Sequence, residues 1–290
     1  MQASYSRLIQ GIWRIADWGL DANGVAGLVS ACLDLGIDTF DLADIYTGYQ
    51  CEGMFGAALA QSPELKQRIR LITKCGIALV TPARPEHRVK HYNTSREHIV
   101  RSAENSLLAM GVEQIDTLLI HRPDPLMNVD EMAEAFMVLK RAGKVARFGV
   151  SNFLPHQFDL LQSRLDEPLA ANQVEVSLLH TDTLFDGTLD QCQRLRVAPQ
   201  AWSPLAGGAL AKVEPASSLG KVLARLSEEL GLTREQLAIA WLLRHPARIH
   251  PVLGSGKIER IQVLVAAQQI ELDRQQWFEL LEAALGRQMP

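Results

Sequence analysis

Short apolar runs alternate with longer amphipathic segments along the 290-residue chain. The short runs are rich in β-branched and aromatic residues, which favours strands, whereas the longer segments place apolar residues at helical spacing. This pattern predicts eight strands, at Leu8–Trp13, Ile37–Asp41, Ile69–Lys74, Ile115–His121, Val145–Ser151, Ala170–Val176, Val197–Trp202 and Ile249–Leu253. A segment of helical period follows each of them.

The helical segments include two starts with the capping-box form, in which Thr94 precedes Glu97 and Thr233 precedes Gln236 by three residues. Two helices are predicted after the seventh strand and two after the eighth. The predicted helices are Asp21–Leu35, Glu52–Ala60, Thr94–Met110, Asp130–Ala142, Pro155–Leu165, Gly187–Leu195, Leu219–Leu230, Thr233–Arg244, Lys257–Gln268 and Asp273–Leu285.

Strict alternation of strand and helix predicts parallel strands joined by right-handed crossovers. A closed (β/α)8 barrel and an open doubly wound sheet both satisfy this pattern. The open sheet commonly carries GxGxxG after its first strand, but Arg14-Ile-Ala-Asp-Trp-Gly19 follows here. We therefore favour an α/β fold of the (β/α)8, or TIM, barrel class. Because no linker-like change of composition interrupts the alternation, we expect one domain over residues 1–290.

Composition and charge exclude several classes of protein. A hydrophobic content of 47% supports a large core, and a formal net charge of -4 argues against nonspecific nucleic-acid binding, which needs a basic face. No apolar run approaches the ~20 residues of a membrane span, and Met1–Arg7 lacks a secretory pattern. Neither the four scattered cysteines nor the histidines show ligand spacing, so we expect no metal. The expectation is a cytoplasmic monomer without nucleic-acid or membrane partners.

Polar groups follow three successive predicted strands at the point where each strand ends. Asp41 ends the second strand and Tyr46 follows five residues later, Lys74 ends the third strand, and His121 ends the fourth. Because parallel strands end on one face, the four side chains should converge on one pocket. The ammonium would favour the phenolate, the carboxylate would hold the ammonium, and the imidazole would orient a carbonyl oxygen. The alternative is that each is an ordinary strand-end polar residue.

Four segments resemble successive signatures of the aldo-keto reductases, in the same order. They are Phe40-Asp-Leu-Ala-Asp-Ile-Tyr46, Ile72-Thr-Lys-Cys75, Leu119-Ile-His-Arg-Pro-Asp124 and Gly149-Val-Ser-Asn-Phe153. The likeness runs from Gly11 to about Arg260 and is nearer to bacterial oxidoreductases of undefined substrate than to the vertebrate steroid-reducing branch. It implies a (β/α)8 barrel that reduces a small aldehyde or ketone with NADPH. The implied catalytic tetrad is Asp41, Tyr46, Lys74 and His121, with Tyr46 as the proton donor.

The resemblance also implies which residues contact NADPH. Ser151, Asn152 and Gln173 would meet the nicotinamide carboxamide, and Trp202 would stack under the ring. The pyrophosphate would lie on Ser203, Pro204, Leu205, Gly207 and Gly208, and the adenosine phosphate on Gly254, Ser255, Gly256, Lys257 and Arg260. Further cofactor contacts are implied for Gly11, Ile12, Trp13 and Asp41. From the residues alone, a helix N-terminus with Ser, Lys and Arg favours phosphate. Gly207 and Gly208 would allow close backbone approach and expose their amides to an anion, with a simple turn as the alternative.

One departure from the family pattern affects the adenosine end of the cofactor site. Val263 and Leu264 stand where an acidic and an amide residue usually follow the phosphate-binding arginine. The adenine contacts and the strength of the preference for NADPH over NADH are therefore left open by the sequence.

The connection from Cys75 to Asn93 is too long for an ordinary βα turn. We predict that this loop, with Trp13 and Tyr49, shapes the substrate pocket, although a solvated surface loop is the alternative. The predicted substrate contacts are Trp13, Tyr46, Tyr49 and His121. The loop's polar and charged residues include Arg84, His87, Arg88, Lys90, His91 and Tyr92.

Two rival functions stay open at this point. A Schiff-base aldolase would use Lys74 as a nucleophile in the same barrel. A nucleotide sensor would hold NADPH, turn over little and act through a partner. The substrate itself is not identified by the sequence.

Overall fold

The computed structural model describes residues 5–290, in which eight parallel strands close into a barrel. The strands are β1 (Ile9–Gly11), β2 (Thr39–Asp41), β3 (Arg70–Cys75), β6 (Ile115–Ile120), β7 (Val145–Ser151), β8 (Ala171–Glu175), β9 (Ala198–Trp202) and β10 (His250–Leu253). They follow one another around the barrel in chain order, and β10 pairs with β1 to close it. The predicted (β/α)8 barrel is confirmed. Residues 1–4 of the N-terminal segment lie outside the described residues, and the single domain over 1–290 stays a prediction.

Ten α-helices are present in residues 5–290. They are α1 (Ala22–Asp34), α2 (Cys51–Gln61), α3 (Arg96–Met110), α4 (Val129–Arg141), α5 (Pro155–Gln162), α6 (Thr188–Leu195), α7 (Ser218–Leu230), α8 (Arg234–Arg244), α9 (Ile258–Ala266) and α10 (Arg274–Leu285). Helices α7 and α8 both lie between β9 and β10, and α10 follows α9, so the extra helices are confirmed. None of the described helices is long and apolar enough to cross a membrane.

The long connection after β3 contains a small sheet of its own. Strands β4 (Ile77–Ala78) and β5 (His91–Tyr92) pair antiparallel and form a hairpin outside the barrel. The sequence pattern did not predict these strands, because two residues are too few to show a period. The hairpin ties both ends of the loop together near the end of β3.

One predicted helix cap is correct and the other is wrong. Thr233 Oγ1 accepts a hydrogen bond from the Gln236 amide at 3.1 Å, and Gln236 Oε1 accepts one from the Thr233 amide at 3.0 Å. Helix α3, however, is capped by Ser95, whose Oγ accepts from the His98 amide at 3.3 Å. The Thr94 hydroxyl instead donates to Asp124 at 3.2 Å, which leaves the cap to the next residue.

The barrel interior is apolar in one part and polar in another. Tyr5 belongs to the apolar interior cluster, and its hydroxyl lies 3.0 Å from Thr117 Oγ1. The rest of that cluster is aliphatic and consists of Ile9, Ile72, Leu119, Ala171, Ala198 and Val252. Asp41, Gln173 and Gln200 are buried polar side chains, and hydrogen bonds join all three. A buried polar group is costly unless it is paired, and these hydrogen bonds supply the partners that Asp41, Gln173 and Gln200 need inside the barrel.

Gly56 marks a close contact between α2 and α3. A Cβ at Gly56 would overlap the Ala109 carbonyl oxygen and lie 2.9 Å from the Met110 Cα. We expect Gly56→Ala to lower the free energy of unfolding by about 3 kcal/mol, at the upper end of overpacking costs. Gly53 in the same helix is exposed, with nothing within 4 Å of its Cβ position. Gly53→Ala should stabilise by about 0.5–1 kcal/mol through helix propensity. Urea unfolding of both variants tests this, and equal effects would contradict the packing assignment.

Candidate active site

Lys74 lies at the centre of the site that the barrel strands form. Its Nζ donates to Asp41 Oδ2 at 2.7 Å, to the Leu42 carbonyl oxygen at 2.8 Å and to Tyr46 Oη at 3.1 Å. These three acceptors use all three protons of the ammonium. Both Lys74 and Asp41 are buried, so the pair is held in place by the barrel rather than by solvent. The structure thus brings Asp41, Lys74 and Tyr46 together as the sequence predicted.

A second layer of side chains fixes the carboxylate of Asp41. Gln173 Nε2 donates to Asp41 Oδ1 at 2.7 Å and to Gln200 Oε1 at 2.9 Å. Both protons of the Gln173 amide nitrogen are therefore engaged inside the protein. Of the Gln173 side chain, only the oxygen Oε1 remains for the carboxamide contact that the family resemblance implies. Gln200 was not singled out from the sequence, since a buried glutamine on a strand carries no local signal.

Burial and charge set the protonation states of the phenol and the ammonium. Burial opposes the charge on Lys74, but Asp41 and Tyr46 together raise the pKa of Lys74 above its usual value. Burial raises the pKa of the Tyr46 phenol, and the Lys74 ammonium opposes that rise without reversing it. The phenol is therefore protonated at neutral pH, with a cation already hydrogen-bonded to its oxygen. This arrangement suits a proton donor whose conjugate base needs stabilising.

His121 directly follows β6 and faces Tyr46. The two rings meet edge to face, with centroids 5.7 Å apart. Burial, and then the charges of Lys74, Arg122 and Lys90, hold the pKa of the imidazole well below its usual value. The ring is therefore neutral at neutral pH, and its buried Nδ1 has no hydrogen-bond partner among residues 5–290. A neutral imidazole can still donate one hydrogen bond to a carbonyl oxygen.

Tyr46 and His121 open onto a cavity of about 530 Å³. Its wall comes from the segments after β1 and β2, from the β4–β5 hairpin with its loop and from the end of β6. The lining residues are Trp13, Ile45, Tyr46, Thr47, Gly48, Ile77, Leu79, Lys90, Tyr92, His121 and Arg122. The predicted substrate residues Trp13, Tyr46 and His121 are all among them. The long loop is thus one wall of the cavity.

Tyr49 does not line this cavity but supports its wall. The Tyr49 hydroxyl accepts a hydrogen bond from the Leu79 amide at 2.9 Å, and the Arg84 guanidinium lies 4.6 Å from its ring centroid. Sequence reasoning did not single out Thr47, Gly48 or Arg122. Only their positions in the sequence pointed to them, because Thr47 and Gly48 follow Tyr46 and Arg122 follows His121.

The residues expected at the nicotinamide are joined by hydrogen bonds. Trp202 Nε1 donates to Asn152 Oδ1 at 2.9 Å, and Asn152 Nδ2 donates to Ser151 Oγ at 2.8 Å. Ser151 Oγ in turn donates to the backbone carbonyl oxygen of Gln173 at 2.8 Å. Asn152 has a left-handed backbone with φ of 62°, which Asn tolerates better than most residues. The structure therefore brings Ser151, Asn152, Gln173 and Trp202 together beside the Asp41–Lys74 pair.

The segment from Ser203 to Gly208 departs in one respect from what its glycines suggested. Ser203, Ala206, Gly207 and Gly208 all have positive φ, so the chain turns tightly here. The Gly208 amide donates to the Leu205 carbonyl oxygen at 3.0 Å and is not free for an anion. The Gly207 carbonyl oxygen accepts a hydrogen bond from Arg14 at 3.2 Å. The expectation of two free glycine amides was therefore wrong for Gly208.

The segment after β10 presents two cations at the start of α9. Lys257 is the N-cap of this helix, and both Lys257 and Arg260 are exposed, with no carboxylate partner among the described residues. Gly254 has open space at its Cβ position, whereas Gly256 packs directly under the Trp18 indole. Trp18 was not expected there, since it is remote in sequence.

Gly11 and Ile12 are buried at the end of β1, where a Gly11 Cβ would lie 2.7 Å from the Leu253 carbonyl oxygen. The close packing of β1 against β10 therefore explains why residue 11 is a glycine. Within residues 5–290, no three His, Cys, Asp or Glu side chains are grouped so as to hold a metal ion.

Comparison with known proteins identifies the family to which this chain belongs. A sequence model described as the aldo/keto reductase family matches residues 7–284. The chain belongs to the aldo/keto reductase family. It is therefore an oxidoreductase of this family, and the resemblance seen in its four motifs is confirmed.

Individual aldo-keto reductases and oxidoreductases match over nearly the whole chain. Oxidoreductase YdhF of Escherichia coli is 50% identical over 287 residues, which cover 99% of this chain and 96% of the relative. A 6-dehydroglucose reductase of Agrobacterium fabrum is 46% identical and covers 98% of this chain and 96% of the relative. The solved structure of the thermostable aldo-keto reductase Tm1743 superposes with a TM-score of 0.80 at 26% identity, covering 96% of this chain and 94% of that one.

Proposed function

We propose that this aldo-keto reductase reduces an aldehyde or ketone to an alcohol with NADPH, and that Tyr46 donates the proton. The observation that carries the proposal is the geometry of Lys74, whose Nζ lies 3.1 Å from Tyr46 Oη and 2.7 Å from Asp41 Oδ2. When bound, NADPH supplies the hydride for the carbonyl carbon. The protein supplies orientation, a proton and the electrostatic environment.

Tyr46 gives its proton to the carbonyl oxygen as negative charge develops there. An ordinary phenol, with a pKa of about 10, costs about 4 kcal/mol to ionise at pH 7. Lys74 offsets part of that cost, because its hydrogen bond to Tyr46 Oη strengthens as the phenolate forms. Asp41, itself fixed by Gln173, keeps the ammonium charged and aimed.

His121 acts as an orienting donor in this scheme. Its lowered pKa keeps the imidazole neutral, so it does not compete with Tyr46 as the acid. A single N–H directed at the carbonyl oxygen would align the substrate and stabilise the developing charge. The edge-to-face contact of His121 with Tyr46 supports this role, because both side chains line the same cavity.

The donor set fits NADPH at both ends of the cofactor. Trp202 offers a flat indole whose position is fixed by Asn152, and the side-chain oxygen of Gln173, Oε1, is available to an amide N–H. At the other end, Ser255, Lys257 and Arg260 would hold the 2′-phosphate at the start of α9. The positive charges of Lys257 and Arg260 at a helix N-terminus favour such a dianion, and the Ser255 hydroxyl can donate a hydrogen bond to it.

We predict that Arg260→Gln raises the dissociation constant for NADPH by roughly tenfold or more, because it removes a charge-assisted contact to phosphate. NADH lacks the 2′-phosphate, so its dissociation constant should hardly change. Fluorescence titration of the protein with each cofactor measures both constants. Lys221→Gln, an exposed change in α7, is the matched control for loss of one positive charge. Equal weakening of NADPH and NADH by Arg260→Gln would contradict a 2′-phosphate contact.

The geometry does not favour the Schiff-base aldolase. An aldolase lysine attacks as a neutral amine and therefore needs a lowered pKa. Here the Lys74 pKa is raised, and all three Nζ protons are engaged. Borohydride trapping of a Lys74–substrate adduct would reverse this conclusion.

We also propose that the enzyme works as a monomer in the cytoplasm on a small polar carbonyl compound. All four cysteines are free thiols, as is usual in a reducing compartment. The name of the Agrobacterium relative supports a sugar-sized substrate, for which a cavity of about 530 Å³ has room. Size-exclusion chromatography with light scattering tests the oligomeric state.

A further inference from the structure

The substrate cavity is lined by two basic side chains and by no acidic one. Lys90 reaches it from the β4–β5 loop, and Arg122 reaches it from the residue after His121. Neither Asp nor Glu is among the residues of the cavity wall. The imbalance is local, because the chain as a whole carries a formal charge of -4.

Neither cation is neutralised by the described part of the protein. Arg122 makes no ion pair there, and its guanidinium lies 5.7 Å from the Trp202 ring centroid. Lys90 is exposed and has no hydrogen bond or ion pair within residues 5–290. The carboxylates of Glu86 and Asp124, which are close in sequence to these cations, form an ion pair with neither of them. Glu86 lies 3.7 Å from His87, and Asp124 accepts from the Leu126 amide at 2.8 Å.

Both cations act on the centre where the carbonyl would react. Their charges, after burial and Lys74, contribute to holding the pKa of His121 well below its usual value. They are therefore within Coulomb range of the imidazole that would orient the carbonyl oxygen. A ligand bound by Lys90 and Arg122 would lie beside Tyr46 and His121 in the same cavity.

We propose that the substrate is a carbonyl compound carrying an anionic group, such as a carboxylate or a phosphate, which Lys90 and Arg122 bind. This inference rests on the proposed carbonyl reduction and names the substrate class of the same site. Arg122 can hold two oxygens of such a group with its planar guanidinium, and Lys90 adds a point charge from the loop. Neutral aldehydes leave both cations without a partner and bind more weakly.

The test compares two probes that differ in charge and hardly in shape, 4-carboxybenzaldehyde and 4-formylbenzamide. At pH 7 the first is an anion and the second is neutral. We expect kcat/KM at saturating NADPH to be at least roughly tenfold higher for the anion. Equilibrium titration of the NADP+-loaded protein, read by tryptophan fluorescence, gives the binding preference without turnover. Glyceraldehyde 3-phosphate against glyceraldehyde repeats the comparison for phosphate.

Single variants show which side chain is responsible for the preference. Lys90→Gln and Arg122→Gln should each reduce the ratio of anionic to neutral kcat/KM by roughly threefold to tenfold. Arg122→Lys should restore part of the ratio, since it keeps the charge without the planar fork. Arg88→Gln is the matched control, because Arg88 is exposed on the same loop and does not line the cavity.

Three results would overturn the inference. The first is equal kcat/KM and equal binding for the anionic and neutral probes, while both are still reduced. The second is a loss of preference in Arg88→Gln as large as in Lys90→Gln, which would mean long-range attraction rather than contact. The third is weaker NADPH binding in the Lys90 and Arg122 variants without any change in probe preference. If neither probe is reduced, the proposed reduction fails, and the binding titration alone decides on the anion site.

Discussion

Tyr46→Phe is expected to lower kcat for NADPH-dependent aldehyde reduction by about 10³-fold, within the range that one general acid supplies. The change removes only the hydroxyl that Lys74 Nζ contacts at 3.1 Å and leaves the ring against His121. Without that proton, the oxygen anion that forms during hydride transfer has only the orienting donor beside it. The dissociation constant for NADPH, measured by fluorescence titration, should stay within about twofold, since no cofactor contact is proposed for this hydroxyl.

Tyr49→Phe is the matched comparison for this experiment. It removes a second phenolic hydroxyl three residues away, which accepts from the Leu79 amide and does not contact Lys74. Its effect on kcat/KM should be less than about tenfold, because one neutral hydrogen bond in the loop is lost. Full turnover in Tyr46→Phe would show that another group donates the proton. Tight NADPH binding with no measurable turnover in the unmodified protein would favour the sensor.

Lys74→Met is expected to lower the free energy of unfolding by about 3–5 kcal/mol, the cost of leaving a buried charge without its partner. Asp41 is 3% exposed, and in this variant its carboxylate would keep only the hydrogen bond from Gln173. Activity should also fall, because the phenolate of Tyr46 would lose its cation. Urea unfolding monitored by circular dichroism measures the stability change.

Two further variants make this prediction specific. In the double variant Asp41→Asn/Lys74→Met both charges are absent, so part of the lost stability should return. Lys144→Met breaks the pair with Glu104 at 2.6 Å, in which both side chains are substantially exposed. That change should cost at most about 1 kcal/mol. If Lys74→Met costs no more than Lys144→Met, the buried pair does not hold the site together as described.

The outline of the fold was predictable because it depends on the hydrophobic period of each segment and on the order of strands and helices along the chain. Parallel strands need helices as crossover connections. Eight strand–helix units without a linker between them are therefore compatible with few architectures. The convergence of Asp41, Lys74 and His121 followed from the same rule, since parallel strands end on one face. The motifs then agreed with a family that the comparison confirms.

The features that the sequence did not predict depend on contacts between distant residues. Thr94 does not cap α3, because Asp124 accepts its hydroxyl. Gln173 uses its amide nitrogen for Asp41 and Gln200 rather than keeping it free. The net rise in the Tyr46 pKa reflects burial, which no local pattern reports. The position of Arg122 over Trp202 is likewise a product of the closed barrel.

The most direct test of carbonyl reduction by this protein follows the hydride itself. NADPH carrying deuterium at both C4 positions is incubated with the enzyme and 4-carboxybenzaldehyde, and the alcohol is analysed by mass spectrometry. Hydride transfer from NADPH to the carbonyl carbon predicts one deuterium on the carbinol carbon for each NADPH consumed. An alcohol without deuterium, or NADPH that stays intact at saturating aldehyde while bound to the protein, would contradict carbonyl reduction at the Tyr46–Lys74 site.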